Sequence, residues 1–233
     1  MIQITDLSKK YNGVTVLDIP HLSISHGETF GLVGNNGAGK TTLFRLVLDL
    51  IKADSGSISI DDIPVVGSDD WKGRVGAFLD ESFLIGFLRP EEYFDFIGKL
   101  HHLDKQEIER FLDYMSPLFA DEVLGKNKLI RDFSKGNQKK IGIAAAMLSR
   151  PDILILDEPF TALDPSSQIR LKKMLNEHAT QYGTTMLISS HDLNHVTEVS
   201  SRIVVLQKGE IIKDLQTNEQ TLSELEQHFA VEG

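Results

Sequence analysis

A lysine and two hydroxyl groups closing a glycine-rich run carry the clearest chemistry in this sequence. Gly34-Asn35-Asn36-Gly37-Ala38-Gly39-Lys40-Thr41, followed by Thr42, fits the spacing G-x-x-x-x-G-K-[ST]. Glycines let the backbone wrap so that successive N–H groups converge on phosphate oxygens. A helix starting directly behind the loop adds about half a positive charge at its N-terminus. Lys40 supplies a full charge to terminal phosphates, and the Thr41 hydroxyl can ligate Mg²⁺. The rival, a glycine-rich turn with a solvated lysine, fits poorly between an apolar strand (29–33) and a helix starting at Thr41. Residues 34–42 are therefore the candidate nucleotide-binding set.

A second constellation lies far along the chain. The apolar run Ile153-Leu154-Ile155-Leu156 leads into Asp157-Glu158, which brings two carboxylates to the sheet edge where open α/β folds bind ligands. Asp157 is placed to hold Mg²⁺ through water, and Glu158 to orient or deprotonate an attacking water. The guanine-reading pattern N-K-x-D fails, because Asn127-Lys128-Leu129 is followed by Ile130.

The elements that must position these groups alternate. Strands are expected at 2–4, 14–17, 29–33, 57–60, 153–156, 185–189, 203–207 and 210–213. Helices are expected at 41–51, 106–115, 136–149, 166–181 and 192–200, with another starting at Pro90. This predicts an α/β fold: a P-loop nucleoside-triphosphatase core with an N-terminal antiparallel β subdomain and an inserted helical lobe. The expected division is 1–81 plus 151–233 for the β subdomain and core, with 82–150 helical.

The composition sets the outer limits. The chain has 233 residues, 41% of them hydrophobic and 25% charged, which fits one folded domain. It contains no cysteine, which excludes disulfides, thiol catalysis and Cys-ligated metals. A net charge of −10 argues against nucleic acid and against direct binding to anionic lipid. The N-terminus has no basic and apolar leader pattern, and no apolar run approaches the ~20 residues of a spanning helix.

Further residues carry a family resemblance. Phe133-Ser134-Lys135-Gly136-Asn137 resembles the L-S-G-G-Q signature of ABC-type ATPases, and Ser134 precedes Asp157 at that family's spacing. Tyr11 resembles its adenine-stacking aromatic, Thr161-Ala162-Leu163-Asp164 its D-loop and Ser189-Ser190-His191 its switch-histidine loop. The resemblance covers essentially the whole chain. It implies an Mg²⁺-dependent ATPase in which Lys40, Glu158 and His191 are catalytic and Thr41, Asp157 and Asp80 serve the metal. It also implies a dimer, with itself or a closely related ABC subunit. In that dimer Ser134, Lys135, Gly136 and Asn137 would complete the partner's ATP site, and Asp164 would lie at the interface. The implied location is the cytoplasm, on the inner face of the cell membrane and attached through polytopic permease subunits.

Departures from the family pattern qualify this. Lys135 replaces a signature glycine, and Asn137 stands where Gln or Glu is usual, yet Ser134 and Gly136 remain. Asp80 aligns with the family's Q-loop glutamine, which adds negative charge beside Asp157 and Glu158 and predicts a more Mg²⁺-dependent nucleotide affinity. Phe83-Leu84-Ile85-Gly86-Phe87-Leu88 could be lobe core or a groove for a helix of a membrane partner. The S-K-G-N-Q form resembles ABC-2-type exporters, which implies export. A single-cassette soluble ABC ATPase in cofactor assembly is the alternative.

Overall fold

The computed structural model describes residues 1–232, with side chains for residues 1–230. Gly233, the last residue of the expected 151–233 range, lies outside the described residues. Two sheets carry the architecture. The first is antiparallel: β1 (Ile2–Tyr11) pairs with β2 (Val14–Ile24) through the Asn12-Gly13 turn, and with β4 (Ser55–Ile60). The short β5 (Ile63–Pro64) closes a hairpin on β4.

The second sheet has six strands in the order β10-β9-β3-β8-β7-β6. These are β3 (Thr29–Val33), β6 (Val75–Phe78), β7 (Ile153–Leu156), β8 (Thr185–Ser190), β9 (Arg202–Gln207) and β10 (Glu210–Gln216). Only the β9–β10 hairpin is antiparallel. Register aligns Val33 with Ser190, Leu156 with Ile188 and Phe78 with Leu156. The chain segments that follow these strands therefore start from one edge of the sheet. Central parallel strands are buried on both faces, and all of β7 and β8 is buried.

Helix α1 (Lys40–Val47) buries Leu43, Phe44, Leu46 and Val47 between the sheets. It is shorter than expected: Asp49 takes a left-handed conformation, φ 52°, and ends the helix. Leu50, expected on the apolar face, is exposed. Between β6 and β7 lie α2 (Pro90–Leu100), α3 (Lys105–Phe119) and α4 (Lys135–Met147). Pro90 opens α2 with Glu91 and Glu92 in the first turn, as expected. Helix α3 runs past the expected Met115, because Leu118 and Phe119 are buried and anchor another turn, until Ala120 turns left-handed. The core of this lobe continues onto β7 and β8 through Leu154, Leu156, Met186 and Ile188. Then follow α5 (Pro165–Tyr182), α6 (Leu193–Val199) and α7 (Thr221–Glu232).

Candidate functional site

The nucleotide cradle forms where β3 leaves the sheet. Gly37 and Gly39 take φ of +83° and +112°, and a Cβ on Gly34 would meet the Leu206 carbonyl oxygen at 2.3 Å. Only glycine fits all three positions without strain. No side chain caps the start of α1, so the first-turn N–H groups face the loop without a side-chain acceptor. Lys40 is buried; its Nζ donates to the Gly34 carbonyl at 2.6 Å and lies 3.3 Å from Glu158 Oε1. An open cavity of about 290 Å³ is lined by Tyr11, Val16, residues 36–42 and Glu158. Tyr11, on the β1 hairpin, is 45% exposed and stands at this cavity.

The carboxylates arrive from β7 and are fixed by β8. Asp157 is buried; its Oδ2 accepts the Thr41 hydroxyl at 2.5 Å, and its Oδ1 accepts the Ser189 hydroxyl. Ser189 Oγ in turn accepts the Glu158 backbone N–H at 2.9 Å. Glu158 Oε2 is 2.9 Å from His191 Nδ1, so Lys40 and His191 engage opposite oxygens of one carboxylate. A hydroxyl and a single carboxylate meeting at the cradle fit Mg²⁺, which keeps several waters and needs few protein ligands when phosphates are present.

Asp80 has other partners. It caps the 3₁₀ turn Glu81–Phe83, with Oδ1 accepting the Ser82 N–H at 2.7 Å and Oδ2 3.8 Å from Arg45. It does not line the cavity. Ser134 is the N-cap of α4, which begins at Lys135, and its hydroxyl accepts the Asn137 N–H at 3.3 Å. A Cβ on Gly136 would meet the Ala162 carbonyl oxygen at 2.6 Å. Lys135 is exposed and pairs with Glu81 at 3.9 Å. None of residues 134–137 lines the cavity at Lys40. Asp164 caps α5 through Ser166 and Ser167 hydrogen bonds, which hold its carboxyl well below the usual range.

The apolar segment after Asp80 divides. Leu84, Ile85 and Leu88 pack on the lobe core, whereas Phe83 and Phe87 are 52% and 70% exposed. Phe83 lines a groove of about 400 Å³ with Leu48, Leu50, Trp71, Val75 and Leu79. In the sequence Thr161 and Ser189 stand only as members of the D-loop and switch-histidine runs, and Lys139 carries no assignment. The available signal was Lys139-Lys140 inside an apolar helix, since buried cations must be paired.

A strand–loop–helix phosphate cradle facing a strand-borne carboxylate pair defines a nucleoside-triphosphate site. The pattern of the family described as ABC transporter matches residues 17–161. An uncharacterised ABC transporter ATP-binding protein of Synechocystis is 35% identical over 82% of this chain and 54% of its own length. The bacitracin transport ATP-binding protein BcrA of Enterococcus faecalis is 30% identical over 94% of this chain and 70% of its own. The chain thus spans between about half and 70% of the length of these two relatives. Among solved structures, an ATP-binding subunit of an ABC transporter superposes with TM-score 0.83, 28% identity and coverage of 100% of this chain and 95% of that one. The ATP-binding cassette MJ0796, a dimer bound to ADP and Pi, matches with TM-score 0.83, 22% identity and coverage of 94% and 99%, and shows the fold. The chain belongs to the ABC transporter ATP-binding family.

Proposed function

We propose that this chain binds and hydrolyses Mg²⁺–ATP and powers export through separate membrane subunits, working as a dimer with itself or a closely related cassette. The observation that carries the reading is the Glu158 carboxylate, held between Lys40 and His191 at the mouth of the glycine loop. Tyr11 offers a stacking face for the base. The loop N–H groups of 34–42 and Lys40 hold the phosphates. Glu158 orients the attacking water and takes up its proton, and His191 steadies that carboxylate and reaches the terminal phosphate. Thr41 and Asp157 would hold Mg²⁺, which neutralises phosphate charge when bound. Most of the rate then comes from positioning and electrostatics.

Dimerisation is supported by the separation of the signature from the cradle. Ser134 and the N-terminus of α4 make a second polar surface that has no place in the chain's own cavity. A two-fold arrangement would put it over the partner's ATP. Residues 82–150 serve as the lobe carrying that surface, with Phe83 and Phe87 facing a membrane subunit. Export is supported by the S-K-G-N-Q form.

Steady-state ATPase assays with nucleotide-binding measurements test the reading. Lys40→Ala and Glu158→Gln should each lower turnover by about 10²–10³-fold. Only Lys40→Ala should weaken ATP binding. A wild-type chain with no Mg²⁺-dependent turnover would end the ATPase reading. Co-purification with soluble scaffold proteins instead of polytopic membrane subunits would favour cofactor assembly.

A further inference from the structure

Lys139 is the second buried cation at the catalytic end of the sheet, 6% exposed and one turn into α4. Its Nζ donates to the Glu158 carbonyl at 2.8 Å and to Thr161 Oγ1 at 2.7 Å, and lies 3.9 Å from Glu81 Oε1. Thr161 Oγ1 also donates to the Glu158 carbonyl, at 2.8 Å. Burial pushes the ammonium below its ordinary value, while Glu81, Glu158, Asp157 and Asp80 all favour its charge.

The backbone that Lys139 grips is unusual. Glu158 has φ +49°, a left-handed conformation that is disfavoured for an L-residue with a Cβ. It persists only where its surroundings over-determine it. On one side the Glu158 N–H is tied to Ser189 on β8. On the other, its carbonyl accepts from Lys139 and Thr161, and Pro159 follows with its fixed φ. Removing the ammonium leaves one face of that clamp to a single hydroxyl.

Taking Glu158 as the group that activates water, as proposed above, we infer that Lys139 is a positioning residue. It fixes the Glu158 peptide so that the carboxylate stays between Lys40 and His191, and it ties that peptide through Glu81 to the segment bearing Phe83.

The test compares wild type, Lys139→Met and Lys139→Gln as full chains, by steady-state ATPase kinetics, binding of a fluorescent non-hydrolysable ATP analogue, and thermal melting. Lys139→Met should lower kcat by about tenfold or more, with KM and analogue affinity within about threefold of wild type. Lys139→Gln, whose amide still donates, should recover part of that loss. A Met variant with wild-type kcat, or one in which affinity and melting midpoint fall along with kcat, overturns the inference. If the Met variant does not fold, Lys139→Gln decides alone: a lowered kcat at unchanged KM supports the role and an unchanged kcat overturns it. A wild type that does not hydrolyse ATP would instead fail the ATPase reading, so the two failures are separable.

Discussion

Glu158 and His178 illustrate what single residues reveal in sequence and what they conceal. Glu158, like Lys40, Thr41 and Asp157, stands in a motif of fixed type and spacing, and the fold brings the four side chains together. Ser189, which holds Asp157 and the Glu158 N–H, was quoted only as a neighbour of His191. Its role arises from the approach of β8 to β7, and local pattern does not record that. His178 on α5 has no chemistry in sequence and is 2% exposed in the fold, packed at a 58° tilt against Tyr182 with ring centroids 4.8 Å apart. Burial, helped by the Arg150 charge, pushes its imidazole down to about 4. The unfolded chain therefore takes up this proton first as pH falls. Stability is full above the ordinary value near 6.5 and is lost between about 6.5 and 4. The full loss should be about 3–4 kcal/mol at ~1.4 kcal/mol per pKa unit. Thermal melts of His178→Leu should show a flatter pH dependence than wild type between pH 7 and 4.5, and an equal slope would assign the loss to other groups.

At the scale of elements, legibility tracked how much of a segment's burial is written in its own pattern. Strand β7 matched its expected bounds because four consecutive apolar residues admit little else, and β3 did so because it ends in the glycine loop. Helix α7 was missed: Leu225 is its sole fully buried apolar residue among the described side chains, so no apolar stripe marks it. Strand β6 was missed because Val75-Gly76-Ala77-Phe78 lacks β-branched density. Its glycine is there for contact: a Cβ on Gly76 would meet the Ala146 carbonyl oxygen at 1.9 Å, and one on Gly142 a Phe78 ring carbon at 2.1 Å. The β6–α4 contact thus depends on two missing side chains, and α4 carries both Ser134 and Lys139. Gly76→Ala should destabilise by about 1–3 kcal/mol, read as a lowered denaturation midpoint. Gly73→Ala, with nothing within 4 Å of the added carbon, should stay near wild type. Equal midpoints for the two would show that α4 gives way without cost.

For the molecule as a whole, a net charge of −10 conceals a local cationic site built from Lys40 and the start of α1. Among the described residues no helix is long and apolar enough to cross a membrane. Sequence could not separate core from surface along 83–88, because all five apolar side chains suit either role. The fold separates them: Leu84, Ile85 and Leu88 turn inward, while Phe83 and Phe87 stay exposed, Phe83 lining a groove with Leu48, Leu50 and Trp71. Because Phe83 is half exposed, Phe83→Ser should shift the melting midpoint little, in keeping with the roughly ±0.5 kcal/mol of surface substitutions. It should leave ATP binding and basal hydrolysis intact, since Phe83 does not line the nucleotide cavity. What it should lose is co-purification with polytopic membrane subunits from detergent-solubilised membranes, and with it transport-coupled stimulation of ATPase. A collapse of the midpoint would return Phe83 to the core, and retained co-purification would place the membrane contact elsewhere on the chain.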